Sequence, residues 1–211
     1  MRTLRAATLL AIGASLAAIA PQARGDVQSG VPEVFPSRHE LSGQLGFQLG
    51  FGGKVGDPSG LKLTAEYGYR FHPIVWFDVQ LSQLFGAGGR NGVCMDNPAL
   101  LCYRGGWMTQ LAAGVKLKIA LKAMPLVVEV PILVGVGGMY NRDCNDDGAA
   151  IPFGRAGVGA KYFLTRRIGV GAHVDFDAGP AFHQATACRA GGGYTDFYGA
   201  FDFMLGAEFI L

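Results

Sequence analysis

The sequence predicts an all-β protein, an eight-stranded antiparallel up-and-down transmembrane β-barrel. Three observations predict it. From residue 41 to residue 211, eight segments alternate apolar and polar residues with a period of two, the pattern of strands with one apolar and one polar face. Half of the 211 residues are apolar and only 16% are charged, yet after residue 25 no uninterrupted apolar run approaches the roughly 20 residues of a membrane-spanning helix. The connections alternate between short turns and longer links, the asymmetry of barrels that cross a membrane.

Residues 1–25 stand apart from that pattern. Arg2 and Arg5 precede an apolar run from Ala6 to Ala20, followed by Pro21 and the triplet Ala23-Arg24-Gly25. This is the layout of a secretory signal peptide, with cleavage expected after Ala20 or Gly25. The run is short for a spanning helix, and no cysteine closes it as a lipoprotein anchor would require. Removing three arginines and no acid takes the formal charge from +2 to about −1, so a basic nucleic-acid surface is not indicated. Residues 26–40 carry Pro32, Pro36 and mixed charges without a period, and read as a periplasmic lead-in to a barrel of residues 41–211.

The strands follow in order. The first sets Leu41, Leu45, Phe47, Leu49 and Phe51 against Ser42, Gln44, Gly46, Gln48 and Gly50. The second sets Leu61, Leu63, Ala65, Tyr67, Tyr69 and Phe71 against Lys62, Thr64, Glu66, Gly68 and Arg70. A tight turn at His72-Pro73 leads to the third, with Val75, Phe77, Val79 and Leu81 opposite Trp76, Asp78, Gln80 and Ser82. The fourth runs from Trp107 to Ile119 with Gln110, Gly114, Lys116 and Lys118 on its polar face. The fifth alternates Val128, Val130, Ile132, Val134 and Val136 with Glu129, Pro131, Leu133, Gly135 and Gly137. The sixth opposes Ala156, Val158, Ala160, Tyr162 and Leu164 to Arg155, Gly157, Gly159 and Lys161. The seventh opposes Ile168, Val170, Ala172, Val174 and Phe176 to Gly169, Gly171, His173, Asp175 and Asp177. Turns near 72–74, 121–125 and 165–167 are short, and the links 86–105, 140–151 and 178–196 are long; only 53–59 is short on that side.

The eighth strand, Phe197 to Leu211, ends the chain. Its final residues Gly206, Phe209 and Leu211 have the spacing Gly-x-x-aromatic-x-hydrophobic, which resembles the C-terminal assembly signal of bacterial outer-membrane barrels. Met204 stands where that signal usually has a polar residue, and Leu211 where Phe is commonest. Period-two alternation is shared by soluble barrels with the apolar face inside. Here the apolar faces hold more large side chains than an eight-stranded interior can take, while the other face is rich in glycine and charge. Aromatics gather at both ends of the strands, Tyr69, Phe71, Phe77, Tyr162 and Phe209 at the turn end and Phe51, Phe85, Trp107, Tyr140 and Phe197 at the loop end, as interfacial girdles do.

On these features residues 41–211 resemble the small eight-stranded outer-membrane barrels, similar to the membrane domain of outer membrane protein A and its short relatives. The resemblance implies the outer membrane of a Gram-negative bacterium, contact with outer-membrane lipid, delivery by periplasmic chaperones and the barrel assembly machinery, and a monomer. In that family the fold is associated with envelope integrity, adhesion and serum resistance, and sometimes with passage of small or hydrophobic solutes.

The inward set joins Lys62, Arg70, Lys116, Lys118, Arg155 and Lys161 with Glu66, Asp78, Glu129, Asp175, Asp177, Asp202 and Glu208. Such charges in a narrow lumen must pair, which predicts a salt-bridge plug without a continuous water column. A gated ion path along the same charges, or a conduit for hydrophobic solutes, is the transport alternative. His173 beside Asp175 and Asp177 lacks an accompanying nucleophile. Barrels of the lipid A deacylase kind need Ser and His toward lipid, and the lipid-facing sets here contain neither. The expected protein is therefore not an enzyme, and no cofactor is expected.

Four cysteines, Cys94, Cys102, Cys144 and Cys188, all fall in the long links and in no predicted strand. An even number in an exported chain reads as disulfides. Of three possible pairings, Cys94 with Cys102 and Cys144 with Cys188 is favoured, with a metal site as the alternative. Asp143, Asn145, Asp147 and Gly148 match the opening of a calcium loop, but its twelfth position is Gly154 rather than the bidentate Glu required. The Gly-rich stretches 86–92 and 191–193 lack the strand-to-helix setting of a phosphate loop and read as loop.

Overall fold

The computed structural model describes residues 37–51, 59–86, 93–94, 97–101, 106–121, 124–141, 147–183 and 194–211. Ten strands occur among them: β1 (His39–Phe51), β2 (Gly60–His72), β3 (Val75–Phe85), β4 (Val93–Cys94), β5 (Asn97–Leu101), β6 (Gly106–Ala120), β7 (Leu126–Asn141), β8 (Asp147–Phe163), β9 (Ile168–His183) and β10 (Tyr194–Ile210). Eight close into an antiparallel barrel in the order β1-β10-β9-β8-β7-β6-β3-β2, and β4 with β5 forms a separate two-stranded sheet.

Closure joins the two ends of the barrel sequence, Leu41 pairing with Phe209 and Phe51 with Gly199. Following the pairs once around the wall, from Leu41 through Tyr67, Val79, Ala113, Val134, Gly154, Ala178 and Gly199, returns to β1 at Phe51, ten residues from the start. A stagger of ten over eight strands, at about 3.3 Å per residue and 4.8 Å between strands, tilts the strands by roughly 41° and sets a wall roughly 16 Å across. One layer of long side chains from each side fills that width.

The polarity of the barrel is inverted relative to a soluble one. Among the described residues, 35 large apolar side chains are exposed, from Leu41 to Leu211 around every barrel strand, while the lysines and acids alternating with them are buried. Water-soluble monomers rarely expose apolar surface of this extent.

Glycine makes room inside. Gly159 faces His173 across β8 and β9, Gly157 faces Asp175, and Gly171 faces Lys161. A Cβ at any of the three would collide with the side chain opposite. The glycine richness of the polar face is thus a steric complement to the long charged residues.

The turn-side connections are tight. The hydroxyl of Thr165 accepts from the N–H groups of Arg167 and Ile168 at 3.2 and 3.0 Å, closing the β8–β9 turn. The β2–β3 turn carries a register shift between Arg70 and His72. At the other end β3 stops at Gly86, whose φ of 86° suits a residue without Cβ.

Several strands outrun their periodic signal. β7 continues to Asn141 and β8 starts at Asp147, so the described link there narrows to residues 142–146 rather than 140–151; β9 reaches His183 and β10 starts at Tyr194. Those extensions are rich in Gly, Ala and Pro, which carry no alternation, yet neighbouring strands pair with them. Pro131, Pro152 and Pro180 lie inside strands, and on one side of each the ladder steps over it, from Glu129↔Gly159 to Ile132↔Ala156 and from Ala150↔Phe182 to Gly154↔Ala178. Proline has no N–H to give a ladder.

Candidate functional site: the charged lumen

The side chains on the inward face of eight strands meet in one interior, and period-two alternation is what puts them there. Thirteen of the fourteen lumen residues expected from sequence are buried inside: Lys62, Glu66, Asp78, Lys116, Lys118, Glu129, Arg155, Lys161, His173, Asp175, Asp177, Asp202 and Glu208. Arg70 is the exception. It is only half-buried, near the turn-side end of β2, with its guanidinium 5.9 Å from the centroid of the Trp76 ring. The bulge beyond Arg70 and the adjoining turn bring it to the mouth instead of the interior.

Toward the turn side, Lys118 is the hub. Its ammonium lies 2.5 Å from Glu40, 2.8 Å from Glu129 and 2.8 Å from Glu208. Lys161 bridges Glu129 at 3.0 Å and also pairs with Glu208. Lys116 reaches Glu40 at 2.7 Å, Asp78 at 3.5 Å and Glu66. His173 places Nε2 3.1 Å from Glu129. Toward the loop side, Arg155 grips Asp177, and Lys62 pairs with Asp202 and lies 3.7 Å from Asp177. Gln80 links the two groups: its amide donates to Glu66 and Asp78, and its carbonyl accepts from Arg155 at 2.7 Å.

The residue missed in the sequence tips the network toward negative charge. Glu40, inside the segment read as lead-in, belongs to β1 and is fully buried between Lys116 and Lys118. Its parity with Ser42 was the available signal, obscured by starting the strand at its first outward apolar residue. With Glu40 in and Arg70 out, eight buried carboxylates among the described residues face five buried Lys and Arg side chains and His173. Neutral groups share the load: Gln44 donates to Glu66 at 2.9 Å, and Gln110 donates to the Tyr198 hydroxyl at 3.0 Å.

Buried apolar residues lie toward both ends of this interior. Trp76, Val127, Phe163 and Ile210 are buried at the turn-side ends of their strands, with the Lys118 ammonium 4.7 Å from the Trp76 centroid. On the loop side Leu84, Met108, Leu133, Met139, Ile151, Phe153 and Tyr198 belong to one buried cluster. The sequence analysis placed Trp76 and Leu133 on the inward face but did not anticipate an apolar cluster there.

Other expected sites fall elsewhere. Gly206 faces the interior, whereas Phe209 and Leu211 point outward, beside the β1–β10 seam. Cys94 lies in β4, a correction to the expectation that no cysteine is in a strand; local pairing with β5 creates this short element. The side chain of Cys94 and residues Cys102, Cys144 and Cys188 lie outside the described positions, as do Asp143 and Asn145. Asp147 and Gly148 are already within β8, paired with Asn141 and Tyr140, and Gly154 is an outward strand residue.

No protein-family model matches the chain, and no curated protein matches its sequence. Solved structures do match in fold. Neisserial surface protein A is 10% identical, with 83% of this chain and 98% of that chain covered and a TM-score of 0.61. Ail, the attachment invasion locus protein of Yersinia pestis, is 13% identical over 82% of this chain and 98% of its own, with a TM-score of 0.49. The N-terminal β-barrel domain of Pseudomonas aeruginosa OprF is 14% identical over 82% and 97%, at 0.44. The first of these carries the likeness: the chain shares the fold of a small eight-stranded barrel.

Proposed function

We propose that this chain is an integral outer-membrane β-barrel of a Gram-negative bacterium, non-enzymatic, with a structural or surface-contact role. The observation that carries the reading is the inverted polarity: an apolar exterior around the whole wall enclosing a buried ion-pair network. Hydrocarbon is the solvent that suits such an exterior, and a closed barrel leaves no strand edge unpaired within it. The fold shared with a Neisserial surface protein supports the same setting. Export would begin with the segment 1–25, and periplasmic chaperones and the barrel assembly machinery would receive the C-terminal strand.

In this reading the lumen is a plug. Ion pairs fill its middle and apolar layers its ends, so the working surface is the loop crown, tied by Cys94 with Cys102 and Cys144 with Cys188. The transport alternative, a narrow channel, is favoured by one feature, the excess of carboxylates over cations. Single-channel recording of the refolded protein in a planar bilayer, disulfides intact, decides between them. The plug predicts a silent, heat-resistant barrel; steady, reproducible steps would overturn it.

A further inference from the structure

The turn-side rim carries a second group of charges, outside the lumen. Arg38 precedes β1, Arg70 lies near the end of β2, and Arg166 and Arg167 form the β8–β9 turn. Backbone hydrogen bonds tie these segments into one arc across β9, β10, β1 and β2. Ile210 N–H donates to Arg167 O at 2.8 Å, Leu211 N–H to His39 O at 3.0 Å, and Arg70 N–H to Arg38 O at 2.8 Å. Arg38, Arg166 and Arg167 are exposed. The nearby acids Glu40 and Glu208 are turned inward and held by Lys118. Exposed along the arc are Arg38, Arg166 and Arg167, with His39 and His72.

The arc borders the apolar exterior directly. Arg166 and Arg167 sit between Leu164 and Ile168, and Arg70 precedes Phe71; all three apolar side chains are exposed, as are Leu41 and Phe209 on the intervening strands. His39 joins the edge of this band, with Nδ1 2.7 Å from the Tyr67 hydroxyl and its ring 5.2 Å from that of Tyr69. Guanidinium groups at the border of a greasy wall fit a ligand with an anionic head and acyl chains. The planar fork takes a phosphate through paired N–H groups, and juxtamembrane basic residues are drawn to anionic lipid.

We propose that this arc binds the headgroups of anionic phospholipids, of the phosphatidylglycerol class, in the leaflet at the turn end. The inference rests on the membrane reading above. A zwitterionic headgroup offers the same phosphate with an ammonium that offsets it, so the arc selects for net negative charge.

The test reconstitutes the folded protein into nanodiscs of phosphatidylcholine with a minor share of phosphatidylglycerol. After release into mild detergent, retained lipids of each kind are counted by native mass spectrometry. Wild type is compared with the R38Q/R166Q/R167Q variant, both verified as the heat-resistant folded form; Arg70 is left in place because it stacks on Trp76. Wild type should retain phosphatidylglycerol about fivefold above its share, and the variant should retain it in proportion. Proportional retention by wild type, or enrichment that survives in the variant, overturns the proposal. So does loss of binding to isolated peptidoglycan in the variant without any lipid preference in wild type, which would assign the arc to the cell wall. A wild-type chain that stays soluble and never enters the nanodisc would sink the membrane reading itself, whereas insertion without lipid preference sinks only the arc.

Discussion

Arg155 holds Asp177 through two parallel hydrogen bonds, Nε to Oδ1 and Nη2 to Oδ2, each 2.7 Å, on adjacent strands of the barrel wall. The remaining edge of the guanidinium reaches Gln80 on β3 and Gln110 on β6, so one side chain braces opposite walls. Arg155→Met takes the paired guanidinium from buried Asp177, leaving it Lys62 at 3.7 Å, and should cost about 3–5 kcal/mol, while R155M/D177L should cost less than either single change, because both members of the fork go together. Urea unfolding in lipid vesicles reads this; additive losses would show that the fork is not a coupled unit.

Asp175 stands opposite Asp202 in the β9–β10 pairing, both inside. Lys62 pairs with Asp202, and Arg155 engages Asp177 and Asp202, whereas Asp175 has no ion pair among the described residues. Like charges directly across a pair oppose the fold. Asp175→Asn should therefore raise stability by about 0.5–1 kcal/mol, and a loss in the same urea assay contradicts the carboxylate excess.

The His173 ring occupies the space over Gly159 and directs Nε2 toward Glu129 at 3.1 Å. Gly159→Ala should destabilise by about 1–3 kcal/mol through overpacking. Adding His173→Ala should recover part of that loss. Thermal scans of the two variants give the comparison, and a double variant no better than the single would remove the steric account.

Val134 sits in the middle of β7 with 73% of its surface exposed. On a water-soluble barrel Val134→Arg would change stability by less than about 0.5 kcal/mol. In a membrane barrel a charge at mid-depth costs about 2–4 kcal/mol. Folding yield into vesicles, followed by the gel shift of the unheated protein, separates the two cases.

Peptide mapping without reduction should yield two disulfide-linked peptides, one joining Cys94 to Cys102 and one joining Cys144 to Cys188. Free thiols at all four positions would remove the stapled crown from the proposed function. Reduction should leave the barrel's resistance to heat unchanged, since its wall closes through backbone ladders from β1 to β10.

Much of this molecule was legible as parity. A strand side chain can point only to one face or the other, so the alternation through Leu61–Phe71 or Ile168–Asp177 settled which residues face outward and which face inward, and short turns settled that neighbours pair. Parity says nothing of depth or of partners across the lumen. Lys62 meets Asp202, 140 positions away in the chain, because β10 closes on β1 at one register and the wall is staggered by ten residues. That closure drew Glu40 in between two lysines, and the bulge after Arg70 brought its guanidinium to the mouth over Trp76. Strand ends built of Gly, Ala and Pro carry no alternation to read, and there the ladders of neighbouring strands decided the structure. The faces were therefore a property of local sequence, while the pairings, the carboxylate excess and the apolar caps came from three-dimensional closure, which alone determines how far apart inward side chains stand.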